Sequence, residues 1–329
     1  MFETAPNHFL QSLASAPLTA LMWTITLLGY FPVYLFMLAV IMFGVDLRKG
    51  IFLSQLLLWT LALTDVMKIM AGLPRPVDVD STLRRLDSGH PNAVPFSGAG
   101  ARSFFGLPSA GAIDYYRTVN GYSFGFPSGH VSSATTFWGG LALLFRRRWL
   151  VVTALLLIVL MALSRMYLGR HFLADVLGGG VVGVAVLGAG FVLFTGRWAP
   201  IPLVAPDEFR FSMLALIGLV GAPLLLFLLP GAERDAGRLL GLNLGYLLLV
   251  LRGGLPRNGG PTTTRALRIL LAGALAAAAL WLTPGALSGP SASTGPLGEL
   301  MVGAVPPFVM LTGTVLLGRR LGLYGPVKP

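Results

Sequence analysis

Nine long apolar runs set the pattern of the chain, at roughly 18–43, 51–71, 129–145, 149–168, 172–195, 211–229, 237–251, 266–283 and 300–318. None alternates with period two, so a strand reading fits none of them. A helix rises about 1.5 Å per residue, so about 20 apolar residues cross the hydrocarbon layer of a bilayer. The runs therefore predict nine transmembrane helices. The seventh is short, and the eighth carries Arg268 near one end. Residues 77–126 break the pattern. They are polar, rich in Gly and Pro, and include Asp78, Asp80, Arg84, Arg85 and Arg117. They read as a long extramembrane loop with short helices of its own, and loops of this length are often functional.

Composition agrees. Of 329 residues, 55% are hydrophobic and only 11% charged, less than half the usual ~25% charged. Mean hydropathy is +0.76. A disordered chain and an ordinary soluble domain are both excluded. There is no cysteine, which removes disulfides, thiolate metal sites and cysteine nucleophiles together. The N-terminal MFETAPNHFL holds no Lys or Arg, so a signal peptide is not expected and the first run stays as a span.

A net charge of +11 would suggest nucleic acid in a soluble protein. Here the basic residues are better read as topology anchors. With the N-terminus outside, the cytoplasmic connections collect Arg48, Lys49, Arg146–Arg148, Arg197, Arg210, Arg252, Arg257, Arg265, Arg268, Arg319, Arg320 and Lys328. That is 14 of 24, and the outer connection 284–298 has none. The positive-inside rule predicts an outside N-terminus and an inside C-terminus.

Three charged clusters remain at span ends, where charge is costly unless paired or functional. They are Lys68 with Arg75-Pro76, then Pro127-Ser128-Gly129-His130, and then Ser164-Arg165 with His171 and Asp175. The 35 residues from His130 to Arg165 make two crossings around a tight RRR turn. The chain so returns to the face it left, and Lys68 exits there too. Lys68, Arg75 and Arg165 put three cations in one place, matched to phosphate oxygens by charge and by the planar guanidinium fork. Ser128 and Gly129 open a helix, whose first N–H groups attract anions. His171 and Asp175 are spaced i, i+4, so the carboxylate can fix the tautomer and leave Nε2 as a nucleophile. His130 suits a general acid for the leaving oxygen.

These residues spell K-x6-R-P, P-S-G-H and S-R-x5-H-x3-D, eleven specified positions in order. The pattern resembles the type 2 phosphatidic acid phosphatase (PAP2) superfamily over about 65–195. The resemblance implies an all-α polytopic membrane protein with a PAP2-like helical bundle. It implies a phosphohistidine on His171, His130 as general acid, and Asp175 orienting His171. Lys68, Arg75, Ser128, Gly129 and Arg165 would bind phosphate, with no metal and no other cofactor. The chain departs from commoner members in its long 77–126 loop and in about four spans after the motifs. Residues 1–200 are thus expected to form the catalytic bundle and 201–329 a helical extension.

Other residues take plainer readings. Asp65 lies one turn before Lys68 and reads as its partner. Arg170 has either a phosphate or headgroup contact or a structural role. Tyr167 reads as an interfacial aromatic, His8 and His90 as solvated loop residues, and Asn243 as a helix-pairing residue. SGPSASTGP at 288–296 is a linker by composition, and the small residues of 178–190 permit close helix packing.

The leading functional expectation is a phosphatase acting on a lipid monophosphate or diphosphate at the outer leaflet. The resemblance allows phosphatidic acid, phosphatidylglycerol phosphate, undecaprenyl diphosphate or sphingoid phosphates. The site would face the periplasm or exterior from a bacterial inner membrane. Partners would be that substrate and membrane lipids, with no nucleic acid; a homo-oligomer is compatible with the sequence and not required by it. A phosphotransferase using the same phosphohistidine is the alternative. A lipid or anion transporter would carry its charges near the bilayer midplane, between repeats.

Overall fold

A computed structural model describes residues 1–87, 92–119, 123–194, 213–283 and 295–325. Among them there are helices and no strands. The first are α1 (Ala5–Ser12), α2 (Ala16–Leu27), α3 (Phe31–Ala39), α4 (Leu47–Ala71), α5 (Pro76–Val79), α6 (Ala110–Val119) and α7 (Gly129–Phe145). Then follow α8 (Arg148–Tyr167), α9 (Leu173–Phe194), α10 (Met213–Leu216), α11 (Ala222–Leu226), α12 (Glu233–Leu251), α13 (Thr262–Leu282) and α14 (Gly295–Arg320). Wider π turns, Val40–Val45 and Ile217–Gly221, follow α3 and join α10 to α11.

Every apolar run is helical, but not every run is one helix. Among the described residues five helices are long and apolar enough to cross a membrane, and the bent pair Ala16–Leu27 with Phe31–Val45, counted as one span, makes a sixth. The chain is an integral membrane protein. The remaining three of the nine expected spans differ for local reasons. Helix α7 has 17 residues. Of the run at 211–229, the apolar helix, π turn included, covers only Met213–Leu226 among the described residues and is too short. Helix α12 has 19 residues but opens with Glu233, Arg234 and Asp235.

The chain packs as two compact units. The first holds Met1–Val33 and Leu63–Leu187; the second holds Tyr34–Ala62 and Gly188–Pro329. Residues 34–62 pack with the C-terminal helices. In the first unit α8 lies against α7, α2 and α1. Its core joins Ile25, Val131, Ala134, Met161, Met166 and Val176. In the second unit α12 packs on α14, and α13 on α14 and the first π turn. Glycines allow this: a Cβ on Gly237 would lie 2.1 Å from the Leu300 carbonyl oxygen, and one on Gly241 2.0 Å from that of Ala304. Buried Arg234 pairs with buried Glu299 at 2.6 Å beside this seam.

Breakers mark the helix ends near the site. Gly72 is left-handed (φ 57) just past α4, and Arg117 of α6 donates to the Ala71 carbonyl at 3.2 Å. Gly169 (φ 75) does the same just past α8. Pro76 occupies the first position of α5, where its missing N–H costs nothing. The 77–126 segment contains α5 and α6, as short helices within a longer loop. His90, Arg197, Arg210, Lys328 and most of the 284–298 connection lie outside the described residues.

Candidate active site

All eight expected site residues lie in the first unit, each at or beside a helix end. Lys68 sits in the last turn of α4 and Arg165 in the last turn of α8. Asp175 is in the first turn of α9, and Ser128 caps α7 ahead of Gly129 and His130. His171 lies in the turn between α8 and α9.

The turn is built around Asp175. Its Oδ2 accepts the Phe172 amide at 2.9 Å, closing the first turn of α9. The same oxygen lies 3.3 Å from His171 Nδ1. One carboxylate thus caps the helix and orients the imidazole, leaving Nε2 free. The His171 amide donates to the Arg165 carbonyl at 3.2 Å, tying the turn to α8. The Ser128 amide donates to the Asp175 main-chain carbonyl at 2.9 Å, tying α7 to α9. Small residues make that contact possible, since a Cβ on Gly179 would lie 2.5 Å from the Ser128 carbonyl oxygen.

The other two segments close on the same place. A Cβ on Gly129 would sit 3.3 Å from Lys68 Nζ. Asp65 holds that ammonium at 3.1 Å, as its spacing led us to expect. Gly125 donates to the Leu73 carbonyl at 2.8 Å, and Arg75 Nη2 to Ser123 Oγ at 3.3 Å. These bonds lay the Arg75 segment along the chain that leads into Pro127. His130 stands edge-on to Tyr30, with ring centroids 5.2 Å apart.

The polar atoms left over are informative. Buried polar groups are normally hydrogen-bonded, and an orphan calls for an explanation. Ser128 Oγ, His130 Nε2 and Arg165 Nε are all buried without a partner. They come from the α7 entrance and the end of α8. Ser128, Arg165, His171 and Asp175 form a buried floor, whereas Lys68, Arg75, Gly129 and His130 are half-buried. The site is therefore open on the side of these four. Burial first, then the charges of Arg165 and Arg75, hold the His171 imidazole well below its ordinary 6.5. It is neutral at physiological pH, the state a nucleophile needs. Helix α7 adds its first free N–H groups beside the Lys68 ammonium. The arrangement can hold a tetrahedral oxyanion and present a neutral imidazole to it.

The PAP2 superfamily matches residues 49–199. The match covers less than half of the chain. All eight site residues fall within it. The chain is also 32% identical over 125 residues to lipid A 4'-phosphatase of Porphyromonas gingivalis, an alignment covering 34% of this chain and 53% of that protein. The chain thus spans about half the length of the curated relative it matches. No solved structure matches it.

Several residues around the candidate site differ from expectation. Tyr167 is not an interfacial aromatic: it is 2% exposed, and its hydroxyl meets Thr19 Oγ1 at 2.6 Å. His8 is not a loop residue: it lies on α1, with Nε2 3.0 Å from Asp80 Oδ2. Arg170 takes the structural role, pairing with Asp87. Asn243, in the second unit, does link helices: its Nδ2 donates to the Leu219 carbonyl at 2.6 Å and its Oδ1 accepts from Gln55. Missing from the sequence reading are Asn7 and Gln11 of α1, both buried against the His171 turn. Nothing in their spacing marks them, because their partners are backbone carbonyls.

Proposed function

We propose that the chain is a membrane phosphatase that hydrolyses a phosphate monoester or diphosphate of a lipid. The observation that carries this reading is the set of orphaned atoms, Ser128 Oγ, His130 Nε2 and Arg165 Nε, around an imidazole oriented by Asp175. A bound phosphoryl group supplies the missing partners. The PAP2 region and the similarity to a lipid A 4'-phosphatase support the same chemistry. A phosphorylated lipid with a bulky headgroup, lipid A among them, suits a site open on one side.

His171 Nε2 attacks phosphorus while the bond to the leaving lipid oxygen breaks. His130 gives its proton to that oxygen. A phosphohistidine remains on His171, its charge held by Lys68, Arg75, Arg165 and the α7 N–H groups. Water then gives a proton to His130 and its oxygen to phosphorus, releasing inorganic phosphate and restoring His171. Asp175 keeps Nδ1 as the donor throughout. We read the site as facing outward from a bacterial inner membrane, an orientation that the distribution of basic residues supports. The charges cluster at helix ends, which favours an enzyme over a transporter with a midplane site.

Phosphate release from a panel of lipid mono- and diphosphates by the detergent-purified protein tests the reading. Release is expected to vanish in His171→Ala, and the ranking names the substrate. Label trapped on His171 without free phosphate would identify a phosphotransferase. Neither release nor label from a folded protein would overturn both.

A further inference from the structure

Helix α1 has its polarity reversed. Asn7 and Gln11, one turn apart, are 0% and 5% exposed, whereas Phe9 and Leu13 are 66% and 54% exposed. A surface helix normally turns such apolar residues inward. Here α1 leads within three residues into apolar α2, and its polar side chains have specific work inside. Asn7 Nδ2 donates to two carbonyls at once, Met166 at 2.8 Å and His171 at 3.0 Å. These flank the turn that carries the imidazole. Two carbonyl acceptors also fix which end of the amide is nitrogen. Gln11 Nε2 donates to the Tyr167 carbonyl at 3.1 Å and to that of Arg84 at 2.9 Å. Its Oε1 accepts the Arg84 amide at 2.9 Å. Phe2 completes the strap, its ring against both Phe126 and Phe172. Phe2, Asn7 and Gln11 lie outside the matched region 49–199, and the residues they hold lie inside it.

We propose that Asn7, supported by Gln11, is a positioning residue for the His171 nucleophile. The claim rests on the phosphohistidine reading above. Asn7 touches no reacting atom. It acts through the backbone: Asp175 restrains the ring of His171 and the Arg165 carbonyl its amide, and Asn7 holds its carbonyl. With Asp175 holding the ring and Asn7 the main chain, Nε2 has a fixed line toward phosphorus. Nucleophile placement is steeply rewarded, since an error of about 1 Å can cost about a hundred-fold in rate.

The test uses the full chain in detergent with three variants, Asn7→Ala, Asn7→Ser and Gln11→Ala. Asn7→Ala is expected to lower kcat about ten- to a hundred-fold, with KM and inhibition by inorganic phosphate close to wild type, because the cradle is untouched. Asn7→Ser keeps one donor and should fall between. The Arg170 and His171 amides, both bonded to the Arg165 carbonyl, should exchange hydrogen faster in Asn7→Ala than in wild type. Unchanged kcat, or kcat and phosphate binding lost together with thermal stability, would overturn the proposal. If Asn7→Ala does not fold, Gln11→Ala gives the same readings at the neighbouring carbonyl. Should wild-type protein release no phosphate, the functional reading fails alone. The exchange of those two amides still decides whether Asn7 holds the turn.

Discussion

Arg165 in the first unit and Arg234 in the second are equally buried, each 5% exposed, yet they are held in opposite ways. Arg234 is bonded to Glu299 at 2.6 and 2.7 Å. Arg165 has no carboxylate paired with it among the described residues, and its Nε has no partner. A buried charge without a counterion is costly and survives only where something else requires it. The first unit accepts that cost at the place where its helix ends converge, and the second neutralises its charge. The difference separates a site from a scaffold without reference to motifs.

The sharpest way to break the comparison is to neutralise both arginines. Arg165→Gln removes a cation aimed at the phosphoryl group, so kcat/KM should fall about a hundred- to a thousand-fold. Its thermal stability should hold or rise, because an uncompensated charge is gone. Arg234→Gln strands Glu299 and should destabilise by about 3–5 kcal/mol, with kcat per folded molecule unchanged. Adding Glu299→Leu to Arg234→Met should return stability toward wild type. Phosphate-release kinetics and thermal melts of the four proteins decide it. If Arg165→Gln melted as early as Arg234→Gln, Arg165 would be scaffold as well.

Glycine sharpens the contrast at smaller scale. Both units use glycine to admit a backbone carbonyl, at Gly179 beside Ser128 and at Gly241 beside Ala304. Alanine at either position forces a shift of neighbouring backbone, with an overpacking cost of about 1–3 kcal/mol. Gly241→Ala should show that cost in the melt alone. Gly179→Ala moves the α7 entrance, so it should lower kcat/KM further than its melt accounts for. Gly180→Ala, where the added methyl meets nothing within 4 Å, serves as the control.

The two units were also unequally legible from sequence. The eight candidate site residues stood out because their chemistry is local: charges and glycines at helix ends, at fixed spacing, in an otherwise apolar chain. Helix existence was legible for the same reason, since long apolar runs allow nothing else. Breaks inside those runs were not. Helix α2 ends at Leu27 and α3 starts at Phe31, but the apolar run continues across the break. The π turn at Ile217–Gly221 has only Gly, Ile, Leu and Val to announce it. Asn7 was illegible because it bonds carbonyls 159 and 164 residues away, and every residue type has a carbonyl. The Arg234–Glu299 pair was visible as two charges but not as a pair, since 65 residues separate them.

The smallest effect concerns pH. All four histidines fall in the first unit by sequence and none in the second. His171 is buried neutral, its folded pKa held well below 6.5 by burial and then by Arg165 and Arg75. Its unfolded value is the ordinary one. Above pH 6.5 both states carry a neutral imidazole, and His171 contributes no pH dependence. Below it the unfolded chain binds a proton that the folded chain refuses, so acid favours unfolding. The slope approaches about 1.4 kcal/mol per pH unit for one such group. Melts of wild type and His171→Asn between pH 7 and 5 should therefore converge toward acid, the wild type losing stability faster. The rate behaves differently: a nucleophile that stays neutral well below 6.5 puts no acid limb of its own on kcat/KM near neutrality. A wild-type melt that ran parallel to His171→Asn through this range would mean that the imidazole takes up its proton in the folded protein. His171 would then not be held ready as a neutral nucleophile.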